Sequence, residues 1–118
     1  MRPPRANPAA SALLLALVLA GLALPASATV PNEETARVLA RQNNCFKCHA
    51  VAKKKEGPAW RDVALKYKGK PGAEDRLVKH ITSGERAKFP DGHEEDHVII
   101  KTKDQAQIRN LVAWILSL

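Results

Sequence analysis

The chain has one methionine, Met1, and two cysteines, Cys45 and Cys48, in 118 residues. Two cysteines cannot make the multi-bridge framework that staples many small secreted domains. With methionine confined to position 1, the rest of the chain offers no thioether. Beyond residue 28 there is no apolar run long enough to cross a bilayer, no internal repeat and no βαβ pattern. No nucleic-acid motif appears either. The basic residues alternate with Asp and Glu rather than forming one stripe, which argues against nucleic acid as a partner.

Apolar character is concentrated at the start. Arg2 and Arg5 precede a run of mostly Ala, Leu and Val from Ala9 to Leu24, followed by Pro25 and Ala26-Ser27-Ala28. A positive start, an apolar middle and a small-residue cleavage site are the parts of a secretory signal peptide. The run of roughly 16 residues is short against the roughly 20 that a bilayer needs, which favours cleavage over anchoring. Pro3 and Pro4 separate the two arginines, so the signal is not of the twin-arginine type. The expected division is 1–28 as a cleaved signal peptide and 29–118 as one small domain. Lys and Arg number 19 against 12 Asp and Glu, for a net +7, and loss of Arg2 and Arg5 leaves the domain near +5. A moderately basic surface suits transient encounter with an acidic protein.

What the domain does contain is Cys45-Phe46-Lys47-Cys48-His49. Two thiols separated by two residues, with His next, form the attachment signature of a c-type haem. Each thiol can add across a vinyl group on one edge of the porphyrin. The following imidazole then lies under the ring and can bind iron from the proximal side. The other uses of Cys-x-x-Cys fit less well: a thioredoxin-like pair needs a βαβ setting, and a zinc site needs further ligands at finger-like spacing. About 90 residues make a thin core on their own, so a buried porphyrin would supply apolar surface that the chain lacks.

Helical periodicity frames this motif. Asn32 can cap a helix that begins with Glu33 and Glu34 and carries Val38, Leu39 and Gln42 at helical spacing from Thr35. Asn43 and Asn44 end it. Lys53, Lys54 and Lys55 lie on a polar loop, and Gly57-Pro58 is a turn. A short helix is expected over 59–67, with Trp60, Val63, Ala64 and Tyr67 on one face. A third runs over 73–82, with Leu77, Val78 and Ile81 inward and Gly84 as its stop. The stretch 85–102, interrupted by Pro90-Asp91-Gly92, reads as a long irregular loop, which in a small domain is usually functional or disordered. A last helix over 104–118 carries Ile108, Leu111, Val112 and Ile115 as an apolar stripe.

With these residues in view, the domain resembles a class I cytochrome c of the small bacterial c-551/c-552 (c8) type. The resemblance covers nearly all of 29–118: the 45–49 motif after a helix, Gly57-Pro58-Ala59-Trp60, the short helices, and the ending Leu111-Val112-Ala113-Trp114-Ile115-Leu116. It implies an all-α fold of about four helices wrapped around one covalently bound haem c with its iron. It also implies that the Pro58 carbonyl accepts the hydrogen bond from the far nitrogen of His49 and so orients that ligand, as groups behind metal ligands generally do. The first and last helices should cross, with Leu39 or Ala40 against Leu111 or Trp114.

One feature of the family is missing. Its usual distal ligand is a methionine from the long loop, and this loop has none. It holds His93 and His97 instead. Counted back from the Trp of the last helix, His97 falls within about one residue of the family's methionine, so the expectation is ligation by His49 and His97. His93, or an open or Lys/Asn-ligated iron, is the alternative. His93-Glu94-Glu95-Asp96-His97 also matches H-E-x-x-H, a zinc-protease motif only when it lies on a helix. Pro90-Asp91-Gly92 before it and Val98-Ile99-Ile100 after it argue against a helix. His80 reads as a partly exposed structural residue of the third helix.

The expected function is that of a soluble periplasmic carrier of single electrons, not an enzyme, since iron held on both faces leaves no place for substrate. An imidazole in place of the thioether favours Fe(III) and lowers the potential. Lys47 and Lys53–Lys55 could steer an acidic, transient redox partner, with the carrier a monomer or weak dimer. The rival readings are a haem-based ligand sensor with a labile distal ligand, and a cytochrome subunit of a periplasmic oxidoreductase.

Overall fold

The computed structural model describes residues 1–4 and 29–118. All but the first four residues of the expected signal peptide lie outside the described residues.

Four helices carry the domain: α1 (Glu33–Gln42), α2 (Trp60–Tyr67), α3 (Ala73–Thr82) and α4 (Gln105–Leu116). A 3₁₀ turn, Cys45–Lys47, separates α1 from α2. Two short strands, β1 (Arg86–Lys88) and β2 (Glu94–Asp96), lie between α3 and α4. No helix among the described residues is long and apolar enough to cross a membrane.

Side-chain caps start the first and last helices. The Asn32 side chain accepts from Thr35 N at 2.9 Å, and Glu33 and Glu34 occupy the first turn of α1. Asp104 does the same for α4, accepting from Ala106 N and Gln107 N. These side chains satisfy N–H groups that have no partner inside the helix. Asn110 on α4 joins the two helices. Its Oδ1 accepts from Asn32 N at 2.8 Å, and its Nδ2 donates to Asn32 O at 2.9 Å.

The core forms where α1 packs across α4, with α2 and α3 also against α4. Ala36, Leu39 and Ala40 meet Ile108, Leu111, Trp114 and Ile115, joined by Trp60 and Ile100. Trp60 meets Trp114 edge-on at 5.5 Å between ring centres, an arrangement that aromatic quadrupoles favour. The small Ala36 and Ala40, both fully buried, let the two helices approach closely.

The stretch 85–102 differs from the irregular loop expected of it. Its first part is an antiparallel hairpin pairing Arg86 with Asp96, Ala87 with Glu95 and Lys88 with Glu94. Pro90-Asp91-Gly92 is the turn of this hairpin: Gly92 has φ 91°, Gly92 N donates to Phe89 O, and Phe89 N donates to His93 O. Opposite charges face each other across the strands, and Arg86 reaches Asp96 at 3.1 Å. With three residues per strand and little apolar content, periodicity could not reveal the pairing. Cross-strand charge complementarity was the available signal.

Candidate haem-binding site

Backbone geometry presents the Cys-x-x-Cys-His motif as one compact turn. Asn44 takes a left-handed conformation, φ 57°, that breaks α1 and starts the 3₁₀ turn. Cys48 N and His49 N both donate to Cys45 O, at 3.2 and 3.0 Å. Cys45, Cys48 and His49 therefore line the same cavity, about 520 Å³ in volume and walled by residues of α2, α3, α4 and the hairpin. That volume lies within the range of sites for small molecules and cofactors, roughly 300–1,000 Å³. Both thiols are pushed above their ordinary value, chiefly by burial.

His49 is held from two sides. Its Nδ1 donates to Pro58 O at 2.8 Å, as the resemblance implied, and its ring stacks on Trp60 at 5.6 Å with 20° between planes. Gly57 is required by this arrangement. A Cβ there would stand 2.5 Å from His49 Cε1 and 2.8 Å from Nδ1, closer than a side chain can approach.

His97 reaches the same cavity. Its ring centre lies 6.2 Å from that of His49, with 48° between the planes. An imidazole nitrogen binds a metal at about 2.0 Å, so rings with this separation of centres would have room for one ion between them. The chemistry of the donors agrees with the spacing. His97 Nδ1 donates to Val98 O at 2.9 Å, and His49 Nδ1 donates to Pro58 O. A carbonyl only accepts, so each neutral ring carries its proton on Nδ1 and keeps the lone pair on Nε2. Burial pushes both imidazoles below their ordinary value, which favours the neutral, ligating form. The donor set thus fits an iron porphyrin attached at Cys45 and Cys48.

The main chain around His97 is tied down at three points. His97 N donates to Glu85 O at 2.9 Å and Ile100 N to Ile81 O at 2.8 Å. Lys101 N donates to Asn43 Oδ1 at 2.8 Å, while Asn43 Nδ2 donates to Leu39 O. Asn43, only 4% exposed, therefore links the residue that ends α1 to the segment that ends the distal stretch.

His93 is placed differently. It sits on the exposed hairpin turn with its ring stacked on Phe89 at 4.4 Å. Its Nδ1 pairs with Asp91 and its Nε2 with Glu95 at 3.2 Å. The hydrogen bond to Asp91 raises its proton affinity most, with Glu95 adding to it, and the ring does not line the cavity that holds Cys45, Cys48 and His49. The H-E-x-x-H residues run from a turn into a strand, not along a helix, and no metal-binding cluster of three His, Cys, Asp or Glu residues occurs among the described residues.

His80 is more than a residue of the helix surface. It lines the cavity, its ring centre is 4.1 Å from that of His97, and its Nδ1 donates to Glu85 Oε1 at 2.6 Å. Arg76 reaches the same oxygen at 2.7 Å. The two donors, His80 first, hold the Glu85 carboxyl below the usual range. The sequence reading missed Glu85 and Asn43. His80 and Glu85 lie on either side of a helix end, and only the closed turn at Gly84, φ 67°, brings them together.

The model of the cytochrome c family matches residues 34–118. Cytochrome c-552 of Hydrogenobacter thermophilus is 36% identical over 107 residues, which cover 90% of this chain and 95% of that one. Cytochrome c-551 of Allochromatium vinosum is 34% identical over 97 residues, covering 82% of this chain and 100% of that one. Among solved structures, the class 1 cytochrome MtoD of Sideroxydans lithotrophicus ES-1 is 57% identical with a TM-score of 0.71, covering 74% of this chain and 96% of that one. Wild-type Nitrosomonas europaea cytochrome c552 is 32% identical with a TM-score of 0.54, covering 69% and 96%. The chain belongs to the cytochrome c family. Within it, the chain is a small monohaem class I c-type cytochrome with one covalent haem c, and its work is electron transport.

Proposed function

We propose that this cytochrome is a soluble periplasmic electron carrier whose iron is held by His49 and His97, and that it works at a lower potential than Met-ligated relatives. Bound haem supplies the iron that takes up and releases one electron. The single observation carrying the ligand assignment is the 6.2 Å separation of the two rings, each with Nδ1 committed to a carbonyl. His49 is kept in place by Pro58 and Trp60, and His97 by Glu85 and Val98. With both faces occupied, no position remains for a substrate, so the protein is not an enzyme.

Export rests on the signal over 1–28. Lys47, Lys53 and Lys54 are exposed and make no ion pair among the described residues. They lie in or just after the haem motif and suit steering of an acidic partner. Lys55 is partly committed, since its Nζ donates to Phe46 O at 2.6 Å.

A redox titration beside a Met-ligated c-551 tests the reading. Imidazole donates to iron more strongly than a thioether, so the midpoint should be distinctly lower. A midpoint as high as that of the Met-ligated protein contradicts the assignment.

A further inference from the structure

We propose that His80 is a positioning residue for the distal ligand: its ring, fixed by Glu85, sets the plane in which the His97 imidazole stands. The inference rests on His97 being that ligand.

Glu85 holds the distal residue in two ways. Its main-chain carbonyl accepts from His97 N at 2.9 Å, which fixes the backbone. Its carboxylate accepts from His80 Nδ1 at 2.6 Å, which fixes the neighbouring ring. His80 then packs on His97 with ring centres 4.1 Å apart and 41° between planes. Arg76, on the same helix face one turn earlier, donates to the same carboxylate oxygen at 2.7 Å.

The remaining freedom of His97 is rotation of its ring about the bond to iron. The Val98 carbonyl restrains that rotation from one edge, at 2.9 Å from Nδ1. Against the face stands His80, carried on α3 with Leu77 buried beside it. A group this close, itself held by a charge-assisted bond, restricts the rotation as outer groups commonly do for a metal-bound histidine. The result is the 48° angle between His97 and His49.

The angle between two axial imidazoles sets the g-values of low-spin ferric haem, so frozen-solution electron paramagnetic resonance of the holoprotein reads it directly. His80→Ala should stay low-spin while its largest g-value moves from that of the wild type. His80→Phe, which keeps a flat ring but loses the bond to Glu85, should move less than His80→Ala. Glu85→Ala should shift the signal in the same sense as His80→Ala, with Glu85→Gln closer to wild type. An unchanged signal in His80→Ala overturns the inference. A high-spin signal in His80→Ala also overturns it, because His80 would then be holding the ligand on iron rather than orienting it. Failure of the parent reading looks different: His97→Ala would keep the wild-type low-spin signal.

Discussion

The imidazole of His97 stands 6.2 Å from that of His49, ring centre to ring centre, across the cavity into which both cysteines open. On the proposed ligation, two rings at that spacing with Nδ1 bonded to carbonyls would take the place of the family's methionine. The ligand change carries a direction in potential. Replacing His97 by Met should raise the midpoint above that of the wild type, because a thioether stabilises Fe(II) relative to an imidazole. Equal midpoints, with the thioether shown spectroscopically to be bound, contradict this.

Gly57 is needed for a steric reason. Gly57→Ala places a methyl group 2.5 Å from His49 Cε1, so either the ring or the Gly-Pro turn must move. Overpacking of this kind costs about 1–3 kcal/mol. Urea unfolding of the holoprotein should show a loss of that order, and an unchanged midpoint with an unchanged slope would mean the turn relaxes freely.

Asn43 couples the proximal and distal halves. Asn43→Ala removes the acceptor for Lys101 N and the donor to Leu39 O. Leu39 O keeps the Asn43 backbone N–H as a donor, so the loss falls on the part-buried Lys101 N, at about 1 kcal/mol. The variant should be less stable and should take up carbon monoxide faster in the reduced state, since one of the three ties on the 97–101 segment is gone. Wild-type stability and wild-type uptake together would show that Asn43 carries no tension between the halves.

His93 supplies a pH test with a defined sign. Its hydrogen bond to Asp91, then that to Glu95, raises its proton affinity above the ordinary value of 6.5, while Asp91 is lowered from 3.8 by the same contact. The folded state thus favours charged His93 and charged Asp91. The contribution of His93 is full below about its ordinary value and fades as pH rises through the elevated one. That of Asp91 is full above its ordinary value and fades as pH falls through the depressed one. Proton magnetic resonance of the holoprotein should show His93 titrating with a midpoint above 6.5, and Asp91→Asn should lower it. A His93 ring that does not titrate would place it on the iron.

Most of the fold was legible because its signals are local. Asn32 and Asp104 mark helix starts, and Leu111-Val112 with Ile108 and Ile115 mark the buried face of α4, as observed. The attachment motif and Pro58 were readable for the same reason, being close in sequence. The hairpin was not, because its three-residue strands are polar and pair through charge. Nor was the setting of His80, whose partners Glu85 and His97 are joined to it by the turn at Gly84 rather than by helical spacing. The distal side lay between these cases. Absence of methionine pointed to the loop histidines but left His93 and an open or Lys/Asn-ligated iron as alternatives, and folding places half-buried His97 at the cavity and His93 on its exposed turn.

Carbon monoxide binding to the reduced holoprotein tests the central claim most directly, because it asks whether His97 closes the distal face. Wild type and His93→Ala should show no rapid spectral change on exposure to the gas, whereas His97→Ala should bind it at once. Rapid binding by wild type, or a His97→Ala variant as inert as wild type, would contradict ligation by His97.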